Sequence, residues 1–140
     1  MKTWLDANAL VAVILGEPGM RQVLGLVREG NAAMVAANII EVYDVASRRE
    51  GISPARVKAV VEPLFEAMIE PVPVDSDLAR EAAEIRIEHY HRKTRPLSLA
   101  DVTLLAAARP RDRIASSDTD VLTVAAELGI ETIELPPSSG

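Results

Sequence analysis

The sequence contains no cysteine, so it has no disulfide framework and no thiolate metal site. A reducing compartment suits such a chain, and a cytoplasmic location is expected. Aromatic side chains are scarce, with one Trp, two Tyr and one Phe in 140 residues. The core must therefore be built from Val, Ala, Leu and Ile, with helices drawn close through alanine. No apolar run reaches the roughly 20 residues that span a bilayer, so no membrane role is expected. The opening stretch MKTWLDANALVAVILGEPG is interrupted by Asp6 and Glu17 and lacks a small-residue cleavage site. It reads as a buried strand and a helix rather than a signal peptide. There is also no Gly-rich phosphate loop, no Ser-x-Lys pair, no GxSxG and no Cys/His dyad. Hydride transfer, acyl transfer and nucleotide kinase chemistry thus have no support. Basic charge is in deficit, and the net charge is −6. That argues against a nucleic-acid binder with the usual basic footprint. It leaves room for an enzyme whose acids surround a cation, and it suggests a basic partner.

What is present alternates between short apolar runs and amphipathic stretches. KTWL, AAMVAA, IEPVPV, RIAS and IETIEL read as strands, with IEPVPV at an edge because proline cannot donate to a ladder. Helices are expected between them. The first runs through ALVAVILG to Gly16, and MRQVLGLVREG stops at Gly30. Asn38 starts IIEVYDVASRRE, and Ser53-Pro54 opens a helix with a kink or break at Pro63. Asp75 or Asp77 caps LAREAAEIRIEHYHRK, Ser98 starts LADVTLLAAA, and SDTDVLTVAAELG ends at Gly129. Residues Val57, Val60, Val61, Leu64, Phe65 and Met68 share one apolar face, a candidate surface for a second copy or a partner. The alternation predicts an α/β fold with a mainly parallel sheet in one domain over 1–135, and a flexible tail at 136–140.

Four acids sit where a buried run gives way to a helix: Asp6, Glu41, Asp101 and Asp118. Strand ends in a parallel sheet share one edge, so Asp6 and Asp118 should face one crevice. Each acid also has a plainer explanation as a helix cap. Asn38-x-x-Glu41, Ser98-x-x-Asp101 and Ser117-x-x-Asp120 all have capping-box spacing. The set is harder to explain that way. Carboxylates about 5 Å apart repel by roughly 3 kcal/mol per pair at an effective dielectric near 20. A hard divalent cation, Mg²⁺ or Mn²⁺, removes that repulsion and brings a water and a phosphate oxygen with it. Asp120 can support Asp118 or stand in for it. Asn8 and Ser116 can orient a carboxylate or cap a turn. Asp44 shares a helix face with Glu41 and reads as a solvated charge.

His89 and His91 are two apart on a predicted helix and cannot chelate one ion together. Arg86, His89, Arg92, Lys93 and Arg95 form a basic cluster, with Arg86, His89 and Lys93 expected on one helix face. Arg86, Arg92 and Lys93 are candidate contacts to RNA phosphates. Their alternative role is to complement a helix C-terminus.

The ordered set LDANAL, NIIEV, LSLADVTLLAAA and IASSDTD resembles the PIN-domain nucleases, and in particular the VapC-type toxins of bacterial toxin–antitoxin pairs. The resemblance runs from Lys2 to about Leu135. Pro96 stands where many relatives have glycine, and Val121 where many have an aromatic residue. The resemblance implies a three-layer α/β/α sandwich and Mg²⁺- or Mn²⁺-dependent cleavage of single-stranded RNA. It also implies a homodimer and a cognate antitoxin whose basic tail enters the acidic pocket. By position, Asp6, Asp101 and Asp118 would hold the metal, with Asp120 a variable fourth contributor. Glu41 would position or deprotonate the attacking water, and Asn8 and Ser116 would support the acids. Two rival readings are a phosphoacceptor domain using Asp6 as nucleophile, and a scaffold without turnover whose acidic cleft docks a basic peptide.

Overall fold

The computed structural model describes residues 1–137; positions 138–140 of the expected tail lie outside them. Among the described residues five strands form one sheet: β1 (Thr3–Leu5), β2 (Ala32–Val35), β3 (Ile69–Val72), β4 (Arg113–Ser116) and β5 (Glu131–Glu134). Their order is β3-β2-β1-β4-β5, and every neighbouring pair is parallel. The helices are α1 (Ala7–Leu15), α2 (Met20–Arg28), α3 (Ala36–Tyr43), α4 (Pro54–Ala67), α5 (Ser76–His89), α6 (Leu99–Ala107) and α7 (Thr119–Glu127). The chain begins in the middle of the sheet, winds outward through β2 to β3, then returns to lay β4 on the far side of β1. The winding direction reverses between β1 and β4, and at such a reversal a crevice opens at the strands' C-terminal ends.

Strand residues alternate between two cores. Leu5, Met34, Ile69 and Ala115 pack with α1, α2 and α4 on one face. Trp4, Ala33, Val35 and Ile114 pack with α5, α6 and α7 on the other. This is the three-layer α/β/α arrangement. With so few aromatics, the cores rest on aliphatic burial, about 1.5–3 kcal/mol for each fully buried Leu, Ile or Val. Among the described residues no single helix is long and apolar enough to cross a membrane.

Local chemistry moves several boundaries from where the sequence predicts them. β2 stops at Val35, and Ala36 and Ala37, good helix formers, already belong to α3. Asn38 therefore sits inside the first turn and caps nothing. Past Tyr43 the helix widens into a π-helical segment, Asp44–Arg49, in which the Glu50 amide reaches the Val45 carbonyl at 3.0 Å. α4 runs unbroken through Pro63, whose ring is on the exposed side. Part of its apolar face packs internally, with Val57 and Val61 buried and Leu64 and Phe65 against the core, while Met68 is exposed. α5 ends at His89 rather than Lys93. Tyr90 turns extended, with the Arg86 guanidinium 4.4 Å from its ring centre. The His91 ring Nδ1 then accepts from the Lys93 and Thr94 amides, each at 3.2 Å. His91 and Arg95 exchange backbone bonds and close a tight turn. Lys93 thus leaves the helix face it was expected to share with Arg86 and His89.

Candidate active site

Asp6 follows β1 directly, and its amide donates to the Ala115 carbonyl of β4 at 3.1 Å. That bond fixes it at the β1/β4 crevice. One carboxylate oxygen accepts from the Ala7 amide at 2.7 Å and caps α1. The other accepts from the Ser116 hydroxyl at 2.6 Å. Ser116 ends β4 and is fully buried; its Oγ also accepts the Asp118 amide at 3.0 Å. A single hydroxyl thus ties Asp6 to the loop that carries Asp118. Asp118 Oδ1 caps α7 by accepting the Asp120 amide at 2.8 Å. Asp101 stands in the first turn of α6, in a reciprocal capping box. Its amide donates to Ser98 Oγ at 3.0 Å, and its Oδ2 accepts the Ser98 amide at 2.9 Å. Glu41 is on α3, and its Oε1 is buried without a hydrogen-bond partner.

The capping explanation is therefore correct for three of the four acids, and it does not compete with clustering. The caps use Oδ2 of Asp101 and Oδ1 of Asp118, leaving the second oxygen of each for a ligand. Electrostatics reveal the cluster. Burial raises the Asp6 carboxyl; the Ser116 and Ala7 hydrogen bonds oppose this, and the Asp118 charge adds to it. Burial pushes Asp101 up to about 6, against the Ser98 amide, with Asp6 and Asp118 adding repulsion. Burial pushes Glu41 up to about 7, reinforced by Asp101, Asp6, Asp44 and Asp118. The charge of Asp118 thus reaches Asp6, Asp101 and Glu41, and that of Asp6 reaches Asp101 and Glu41.

Other candidates fall outside it or at its margin. Asn8 is exposed and donates to the Ser117 hydroxyl at 3.3 Å rather than to an acid. Asp120 contributes its amide to the α7 cap. Asp44 is held by Arg48 through two bonds of 2.6 and 2.9 Å. Arg86 stacks on Tyr90 and lines an apolar groove of about 540 Å³ between α5 and α6. His89 and Arg95 both pair with Glu127. Arg92 and Lys93 project from the exposed turn after α5.

The sequence reading passed over Asp112 and took Asn38 for a helix cap. Asp112 is buried at the opposite edge of the sheet, where it accepts from the Lys2 amide, Trp4 Nε1 and the Arg109 amide at 2.9, 3.1 and 3.0 Å. Its role is structural. Asn38 is fully buried on α3, and neither amide atom has a partner. Its place three residues before Glu41 was the available signal, but that spacing also fits a cap.

Among the described residues no three His, Asp or Glu side chains are close enough, as placed, to ligate one ion. The donor chemistry nevertheless fits a hard cation. The group offers only carboxylate and hydroxyl oxygens, it includes the orphaned Glu41 Oε1, and its members repel one another.

Comparison with known proteins agrees with the fold. No curated protein matches the sequence. Among solved structures, DNA-bound VapBC from Salmonella typhimurium superposes with a TM-score of 0.69 at 21% identity, covering 96% of this chain and 98% of that one. VapC20 from Mycobacterium tuberculosis, a sarcin-ricin loop cleaving toxin, gives 0.71 at 17% identity, covering 88% and 95%. FitAcB from Neisseria gonorrhoeae gives 0.60 at 19% identity, covering 94% and 96%. At these identities the likeness is one of fold. The PIN domain profile matches residues 4–127, a span that holds every acid of the cluster, and the chain belongs to the PIN domain family.

Proposed function

We propose that this chain, over residues 1–135, is a divalent-cation-dependent endoribonuclease of the VapC toxin type. The observation that carries the reading is the repulsion among acids at one crevice, where Asp118 acts on Asp6, Asp6 and Asp118 act on Asp101, and all three act on Glu41. Asp6, Asp101 and Asp118 would hold Mg²⁺ or Mn²⁺, with Asp120 close by on α7. Ser116 fixes the Asp6 carboxylate, and Asn8 braces the Ser117 loop. A bound cation would polarise the phosphate and stabilise the charge that develops on it. Glu41, half-buried beside these acids, would take a proton from the attacking water. The water oxygen bonds to phosphorus as the bond to the 3′ oxygen breaks, and the leaving oxygen takes a proton from solvent. The ends are a 5′-phosphate and a 3′-hydroxyl. Like VapC toxins, the chain would act as a homodimer and be restrained by an antitoxin whose basic tail enters the acidic pocket.

Calorimetric and thermal titration of wild type and Asp101→Asn with Mn²⁺ and Mg²⁺, run beside a single-stranded RNA cleavage assay, tests this. Asparagine keeps an oxygen for the Ser98 amide, so the cap survives while the charge is lost. Wild type should bind and cleave, and the variant should do neither at the same cation concentration. Absence of cation binding by wild type would reject the nuclease and favour a cleft that docks a basic peptide.

A further inference from the structure

We infer that Asn38 is a catalytic residue that, with Glu41, holds the attacking water; this rests on the hydrolytic reading above. Asn38 is fully buried, and both its Oδ1 and Nδ2 lack partners. A buried amide left without hydrogen bonds costs about 1–3 kcal/mol on protein data, so native folds retain few of them. Asn38 lies in the first turn of α3, just past the C-terminal end of β2. That is the edge of the sheet at which Asp6 follows β1.

Glu41 comes three residues later on the same helical face, which sets the two Cβ atoms about 5–6 Å apart. α3 packs against α1, which Asp6 caps, and against α6, which carries Asp101, so its inner face borders the acidic crevice. Glu41 Oε1 is likewise buried and unpartnered. Two acceptor oxygens one helical turn apart suit a water between them, since each hydrogen bond to it spans roughly 2.8 Å. Such a water donates one hydrogen bond to Asn38 Oδ1 and one to Glu41 Oε1. Its lone pairs are left facing outward, toward phosphorus. The amide supplies orientation without charge, which a fifth carboxylate in this cluster would not.

The test compares wild type, Asn38→Leu and Asn38→Ala by single-stranded RNA cleavage with Mn²⁺ and by thermal unfolding without it. Leucine fills nearly the same volume without polar atoms, so Asn38→Leu should melt at or above the wild-type temperature. Its kcat should fall by about a hundredfold, the scale of a misplaced reactant, with KM within about twofold. Asn38→Ala should lose kcat to a similar degree. Wild-type kcat in either variant overturns the inference while leaving the nuclease reading intact. A lowered melting temperature in both variants also overturns it, by making the amide structural. Failure of wild type itself to cleave any single-stranded RNA would overturn the hydrolytic reading and this one with it.

Discussion

Burial, with repulsion from Asp101, Asp6, Asp44 and Asp118, raises Glu41 from 4.5 to about 7, and burial raises Asp101 from 3.8 to about 6. An acid whose folded pKa exceeds its unfolded value holds its proton longer in the fold. The stability tied to that proton is complete below the unfolded pKa and is lost as pH rises through the folded one. Both residues act in this direction, so the cation-free protein should lose stability between about pH 4 and pH 7. Asp44, held low by Arg48, titrates below that window and does not offset it. In chelator, wild type should melt higher at pH 5 than at pH 8, and Glu41→Gln should narrow the gap. A wild-type melting temperature that rises with pH would refute the coupled cluster. The four acids were legible in the sequence because each follows a buried run, and a carboxylate there is either a cap or a ligand. Here Asp6, Asp101 and Asp118 serve as caps within the cluster. Asn38 was not legible, because Asn-x-x-Glu fits a helix start as well as an inward-facing pair. Only the backbone decides between them.

Helix boundaries set which of these side chains face inward, and they follow chemistry that the sequence reveals unevenly. The alternation of strands and helices was readable, since β1, β2 and β4 are short apolar runs with no competing period. The start of α3 was not, because Ala36 and Ala37 continue the apolar run of β2 although alanine favours a helix. The end of α5 depends on the His91 ring accepting two amides and on Arg95 closing the turn, contacts that no helical period encodes. Asp112 shows the same limit at the far edge of the sheet, where it ties β1 to the loop before β4. Replacing it with alanine leaves Trp4 Nε1 buried without an acceptor, at a cost of about 1–3 kcal/mol. Urea unfolding of Asp112→Ala should show a lower midpoint, with Mn²⁺ affinity at 10 °C unchanged. Asp112 precedes β4 and Asp118 follows it, so the full strand separates the two. Cation affinity that falls with stability would contradict this division between a structural edge and a reactive one.

As the proposed ribonuclease, a chain of net charge −6 would have to bring a polyanion to a cluster of carboxylates. Lys2, Arg48, Arg80, Arg95, Arg109 and Arg113 are already paired with acids. Among the cations outside these pairs, Arg92 and Lys93 lie on the segment that leads to Asp101. They are exposed on the turn that closes between His91 and Arg95, and neither is in an ion pair among the described residues. That turn leads through Leu97 into Ser98 and the α6 start where Asp101 stands. RNA phosphates held there would be positioned without any base being read, so the contribution belongs to binding rather than to the chemical step. Each phosphate neutralised on a single strand adds a slope of about −0.7 to log K against log salt. The double variant Arg92→Ala, Lys93→Ala should therefore raise KM several-fold at low salt, flatten the salt dependence by about 0.7 to 1.4, and leave kcat unchanged. A changed kcat with constant KM would move these residues from substrate capture to catalysis. An unchanged KM and slope would mean that RNA approaches the crevice from another side, past α1 or α7.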